Sequence, residues 1–231
     1  HIGVRHCVVD PAFYDFYAHA PRFFRERMFL ELPNTPAEKS LDKIAFRSGW
    51  APDDQYLLVD GISGASHGHE DANAVIQFDE FQRTWLLDGD FRQSGVSRHN
   101  ALTIATDGLG TPLPAFAEKD GIGDLDQIGF SHSIVRDYGG ADWGRAVVWL
   151  RGRAFVFLDR VTASPSAGAG KPYRLCLRWF TLGDLLSLTL ASQKRLTVVQ
   201  RAPAGARVDD KGVHIDTLLG EARATFHAAP G

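Results

Sequence analysis

The residues of this chain best suited to chemistry are His67 and His69, in His67-Gly68-His69-Glu70-Asp71, followed by Asp88 and His99. Imidazole and carboxylate together are a ligand set that suits zinc. In an extended strand, residues i and i+2 share a face, so His67 and His69 would present both rings to one region. Asp88 ends the apolar run Trp85-Leu86-Leu87, and His99 stands at the mouth of the next strand in Arg98-His99-Asn100. A hairpin over 72–88 turning near Asp79-Glu80 would bring His69 roughly opposite Asp88, because paired positions in a hairpin sum to a constant set by the turn. His69, Asp88 and His99 would then make a three-ligand metal site with a fourth position for water. Glu70 or Asp71 would stand behind it, accepting an imidazole N–H and fixing its tautomer. Each residue also has a plainer reading: His69 as a hydrogen-bonded core histidine, Asp88 as a turn former before Gly89-Asp90, His99 as the start of a strand. Three separate coincidences are then needed where one metal ion suffices.

The elements that must position these groups are mostly strands. Residues 10–32 read as largely helical, with Asp10 as N-cap, Pro11 as the first helical residue and Phe13, Phe16, Tyr17, Phe23 and Phe24 as an apolar face. This segment is either the tail of a helical domain or a helix packed on the sheet. Pro33 and Pro36 break the pattern, and 33–41 reads as a linker. From there the apolar runs become short and alternating. Strands are predicted at 43–49, 55–60, 72–79, 84–88, 101–105, 129–137, 144–150, 154–161, 173–180, 196–200, 213–216 and 222–227, the texture of an antiparallel sandwich or barrel. The clearest hairpin runs through 146–150, turns at Arg151-Gly152-Arg153 and returns through 155–158. Residues 107–127 and 162–171 read as long loops, and 182–190 as a short helix.

The chain has 231 residues and is 44% hydrophobic, enough for a sizeable core in one large all-β domain or two small ones. A net charge of −3 argues against general nucleic-acid binding, which needs a basic surplus. Arginine far outnumbers lysine, and its fork binds carboxylates and sulfates bidentately. Two cysteines, Cys7 and Cys176, make no disulfide framework, and Cys176 reads as a core residue. No apolar run reaches the ~18 residues of a membrane span. His67-Gly68-His69, five residues after Gly61, also copies the opening of the cupin metal motif, but Asn73 and Ala74 stand where that motif has its glutamate.

From Asp42 onward the chain resembles the heparinase II/III-like polysaccharide lyases. The resemblance lies in Asp42-Lys43-Ile44-Ala45-Phe46-Arg47-Ser48-Gly49-Trp50, in Tyr56-Leu57-Leu58-Val59-Asp60-Gly61 and in the His67–Asn73 segment. Trp85-Leu86-Leu87-Asp88-Gly89 and Arg98-His99-Asn100 follow in the family's order. Arg136-Asp137-Tyr138, Arg145 and Phe155-Val156-Phe157-Leu158-Asp159 look like its later strands, so the match covers roughly 42–161. In such lyases an α/α toroid precedes an antiparallel β-sandwich of supersandwich type, with the substrate between them. The resemblance implies that His69, Asp88 and His99 hold a structural zinc and that His67 reaches the cleft. It implies a division into a helical stub and linker, 1–41, the tail of an absent toroid, and a sandwich, 42–231. Neither Tyr14 nor Tyr17 matches the family's catalytic tyrosine.

The expected fold is therefore an all-β antiparallel sandwich with a short N-terminal helical segment. The expected function is β-elimination in an anionic, uronic-acid-containing polysaccharide by a periplasmic or secreted enzyme, with no nucleic-acid or membrane partner. Elimination removes a weakly acidic proton beside a carboxylate, which requires stabilisation of the developing negative charge. A histidine titrates in the right range to act as base or donor, and His67 is the candidate; its plainer role is to support the metal loop. Arg47 and Arg98 are candidates for pairing with substrate carboxylate or sulfate, against the weightier reading of surface ion pairs. The alternatives are a non-catalytic carbohydrate-binding or structural sandwich and a cupin-type metalloenzyme.

Overall fold

The structure, a computed structural model, describes residues 2–28, 30–64, 69–88, 95–106, 109–163, 173–180, 184–192, 195–201, 213–216 and 221–227. In chain order the elements are β1 (Gly3–Val8), α1 (Pro11–His19), α2 (Arg22–Met28), β2 (Leu41–Arg47), β3 (Tyr56–Asp60), β4 (Val75–Glu80), β5 (Arg83–Leu87), β6 (Leu102–Thr106) and β7 (Leu109–Gly110). Then follow β8 (Glu118–Asp124), β9 (Ile128–Tyr138), β10 (Ala141–Leu150), β11 (Ala154–Ala163), β12 (Tyr173–Phe180), β13 (Asp184–Ser192), β14 (Arg195–Arg201), β15 (Val213–Asp216) and β16 (Glu221–His227). They form an all-β antiparallel, sandwich-like fold. One sheet has the order β1-β2-β3-β4-β5, a second β11-β10-β9-β8 and a third β15-β16-β12-β6-β7, with β13 and β14 pairing separately.

Alternation along the strands builds the core. On β2, Ile44 and Phe46 point inward, and on β10 Trp143, Val147 and Trp149 do so, together with Leu57, Val59, Val75, Ile104 and Val135 from neighbouring strands. Phe46, Trp149 and Phe155 pack as an aromatic group, edge-on between Phe46 and Trp149 and stacked between Trp149 and Phe155 at 5.7 Å. The Trp149 indole N–H donates to Gln55 Oε1 at 2.6 Å, so its polar edge is satisfied inside the core. The β10–β11 hairpin pairs Leu150 with Ala154 and Val147 with Phe157, as the apolar pattern predicts, with Gly152 in the left-handed region at the turn.

Asp10 caps α1 by accepting from the Ala12 and Phe13 amides, and Pro11 opens the helix, both as expected. α1 lies on the body of the fold. Tyr17 is buried against Phe116 and its hydroxyl donates to the Ser63 carbonyl at 2.8 Å. The preceding residues, 3–8, form an edge strand paired with β2, which the short run Val4–Val8 did not signal.

Four local expectations are corrected. Residues 184–192 form β13, paired with β14, where a short helix was expected; in Leu-Leu-Ser-Leu-Thr-Leu the period-2 pattern wins over helix propensity. The expected loop 107–127 contains β7 and β8, the latter made of Gly and charged residues whose place is decided by pairing with β9. The β4–β5 turn falls at Phe81-Gln82, both at positive φ, two residues beyond the expected position. Asp88 therefore bonds through its amide to Ile76 and does not face His69 in register. Lastly, β4 begins only at Val75, where a strand was expected from residue 72, and His69 sits in an isolated bridge with Gly64; the shared face expected of His67 and His69 lies outside the described residues.

Candidate metal centre

His69, Asp71 and His99 each offer a ligand atom, and these atoms lie within 4.8 Å of one another. Asp71 and His99 are buried and His69 is partly so. The two rings stand 5.4 Å apart, centroid to centroid, tilted by 47°. His69 and Asp71 come from the segment between β3 and β4, and His99 from the short 3₁₀ turn Val96–Arg98 that leads into β6. Glu70 ties the two segments together by accepting from the Val96 amide at 2.9 Å.

Asp88, at the end of β5, holds His99 from the other side. Its Oδ2 lies 2.6 Å from His99 Nδ1, and its Oδ1 accepts from the Asn100 amide at 2.7 Å. A carboxylate that accepts from Nδ1–H places the imidazole lone pair on Nε2, the tautomer a metal ligand needs. The structure thus brings Asp88 to His99 through the β5 terminus. The role expected of Asp71, behind an imidazole, is the one Asp88 occupies here, while Asp71 stands among the donor atoms.

The electrostatics favour a cation. Burial pushes the Asp71 carboxyl up to about 8, and the nearby Asp60 carboxylate adds to the shift. Asp60 is itself raised by burial, with Lys43 opposing through a 2.8 Å ion pair. Two imidazole nitrogens and a crowded set of carboxylates make a donor set that suits a borderline divalent ion such as zinc.

Beneath this cluster lies Arg145, fully buried on β10. Its Nε and Nη2 donate to the two oxygens of Asp159 at 2.8 and 3.2 Å. Its Nη1 donates to the carbonyls of Asn73 at 2.8 Å and of Asn100 at 3.1 Å. Asn73 follows Asp71 by two residues and Asn100 follows His99 directly, so one guanidinium clamps the backbone of both ligand segments to the second sheet. Asn73 is at φ 68°, and its Oδ1 accepts from Ser133 Oγ at 2.6 Å. Sequence reasoning assigned Arg145 no part in the site. A signal was present: Arg145 has the same parity as Trp143, Val147 and Trp149, so an inward-facing cation needs buried acceptors.

His67, the candidate catalytic residue, lies outside the described residues. Arg47 is not among the grouped ligand residues and packs on aromatic rings, its guanidinium carbon 4.3 Å from the Trp50 ring centroid and 4.2 Å from that of Tyr56. Arg98 closes the 3₁₀ turn beside His99 and is exposed. Tyr138, next to the core of this region, is fully buried and accepts from the Ile104 amide, and burial raises its phenol. Among the described residues no helix is long and apolar enough to cross a membrane.

No protein-family model matches the chain, and no curated protein sequence does. Solved structures do. A crystal structure of heparinase III matches 83% of this chain and 34% of its own, with a TM-score of 0.56 and 13% identity. A heparinase III gene product matches 77% of this chain and 32% of its own, with a TM-score of 0.52 and 17% identity; in a form with methylated lysines it matches 81% and 34%, at 0.51 and 17%. The chain has a heparinase-like fold and spans about a third of the length of these proteins.

Proposed function

We propose that this chain is the β-sandwich part of a polysaccharide lyase that cleaves an anionic, uronic-acid-containing glycan by β-elimination, with a structural zinc held by His69 and His99. The observation that carries this reading is the convergence of two imidazoles and two carboxylates from segments thirty residues apart, in a fold shared with heparinase III structures. Asp71 lies 3.9 Å from His69 and Asp88 2.6 Å from His99, and one supplies the oxygen donor while the other orients a ring. An ion there would fasten the segment before β4, which adjoins the His67 loop, to the turn before β6. That coupling of metal to local folding is the chemistry zinc supplies at a structural site.

In this reading His67 is the general base or proton donor. A helical domain upstream completes the cleft and supplies the remaining catalytic groups, including a tyrosine. A polymeric substrate of this kind places the enzyme in the periplasm or outside the cell. The cupin alternative requires its ligands within one closed barrel, and the described strands form separate open sheets.

Two measurements test the proposal. Purified protein should contain about one zinc per chain, and His69→Ala should lose zinc and stability together. Asp71→Asn and Asp88→Asn, compared for metal content, identify the oxygen donor: the ligand variant loses zinc, and the orienting variant retains it with weaker affinity. In the full-length protein, His67→Ala should abolish the absorbance of unsaturated product while leaving the fold intact. Elimination that survives this change would make His67 structural.

A further inference from the structure

We propose that Arg47, Trp50 and Tyr56 form a second glycan-binding subsite, one that grips a single anionic pyranose unit away from the metal centre. The inference rests on the anionic glycan of the proposed function but uses none of its catalytic residues. Arg47 is on the outer face of β2, directly opposite Tyr56 on β3. Trp50 projects from the loop joining them. That loop is held in shape by hydrogen bonds from the Ser48 amide to the Gln55 carbonyl at 3.0 Å and from the Ala51 amide to Asp54 Oδ2 at 2.6 Å.

The guanidinium carbon lies over both rings, 4.3 Å from the Trp50 centroid and 4.2 Å from that of Tyr56. Stacking of this kind restrains the plane of the fork while its in-plane N–H groups stay able to bond an anion. Among the described residues no acidic side chain forms an ion pair with Arg47. Trp50 is 69% exposed, a large apolar plane left in water beside the stacked cation. The chemistry that matches both features is a sugar ring whose C–H face covers the indole and whose carboxylate or sulfate takes the fork bidentately. A neutral sugar satisfies only the indole, and a simple anion only the fork.

The subsite is separate from the metal centre. Lys43 pairs with Asp60 and Arg47 with Tyr56, so the platform lies four residues along both strands from Asp60, whose carboxylate acts electrostatically on Asp71. At the rise of an extended strand that is about 13 Å. A polymer could therefore be held at the platform while another part of it meets the cleft.

Calorimetric titration of the 231-residue chain tests this with three probes: a heparin-derived hexasaccharide, a hexamer of galacturonic acid and neutral maltohexaose. At least one anionic probe should bind, and maltohexaose should bind more weakly. Trp50→Ala and Arg47→Ala should each weaken the anionic probe about tenfold or more, with zinc content and circular dichroism unchanged. Arg47→Lys should recover only part of the loss, since it restores charge without the planar fork. The proposal is overturned if no anionic probe binds, if either alanine variant binds like the parent, or if the neutral probe binds as tightly as the anionic ones. Absent unsaturated product with binding intact strikes the lyase reading alone. Intact elimination with unaltered binding in the variants strikes the platform alone.

Discussion

Arg145 shows how much one side chain can organise. It is charged, wholly enclosed, and stacked near the faces of Trp143 and Trp179 at 4.8 and 5.1 Å. A buried cation is tolerable only when it is paired and hydrogen-bonded, and Asp159 with two backbone carbonyls takes four of its N–H groups. Asp159 also accepts from the Trp143 indole at 2.8 Å. Removing Asp159 strands the charge, so Asp159→Ala should lower stability by roughly 3–5 kcal/mol, the usual cost of breaking a buried pair. Urea unfolding measures this, and a change under 1 kcal/mol would mean that Arg145 is held by the carbonyls alone. Because those carbonyls follow the proposed metal ligands, any zinc affinity should fall in the same variant as well.

At the scale of elements, the β4–β5 hairpin shows a local conflict that pairing resolves. Phe81 and Gln82 occupy the turn at φ 56° and 58°, where asparagine and glycine are the favoured pair. A bulky residue in the left-handed region costs about 1–2 kcal/mol, and Phe81 is exposed, so it gains little from packing there. Phe81→Asn should raise stability by about 0.5–1 kcal/mol, seen as a higher thermal midpoint. An unchanged or lower midpoint would show that the Phe81 ring contributes contacts that outweigh the backbone strain. The hairpin matters to function because its second strand ends at Asp88, and a slip of its register would move that carboxylate off His99.

For the molecule as a whole, two linkages are expected to bear on stability. The first is the proposed metal. Ligand binding to the folded state alone stabilises by about 2.7 kcal/mol at a hundredfold excess over Kd, so chelation should lower the thermal midpoint and zinc should restore it. A midpoint indifferent to chelator would leave His69 and His99 as ordinary structural residues. The second linkage is protonic. Burial alone would raise the Glu118 carboxyl, but hydrogen bonds from Arg136 at 2.7 Å and Lys39 at 3.0 Å overcome it and leave the group below its ordinary value. Arg136 also bonds Asp142 at 2.8 Å, so the network joins the turn before β2 to β8, β9 and β10. A carboxylate depressed in the folded state stabilises above its unfolded value, about pH 4.3, and that contribution is lost as pH falls through the lower folded value. Glu118→Gln should therefore flatten the acid limb of stability below about pH 4.3; an unaltered limb would show that solvent screens the network.

The all-β class, the Asp10 cap with Pro11, the β10–β11 hairpin and the side-chain types gathered at His69, Asp71, Asp88 and His99 were legible in the chain itself. These depend on period-2 alternation, on capping and turn chemistry within a few residues, and on side-chain types that bind cations wherever they meet. What the tertiary structure decided is which groups actually meet. The hairpin turn slipped by two residues, β8 formed from a glycine-rich stretch only because β9 offered a partner, and Leu-Leu-Ser-Leu-Thr-Leu became a strand beside β14. Asp88 reached His99 through the end of β5, Asp71 was turned inward among the donors, and Arg145 was set beneath both segments. Local pattern determines which way a side chain faces along its own strand. Contact between segments thirty or seventy residues apart is settled by sheet register and packing, which no short stretch of sequence contains.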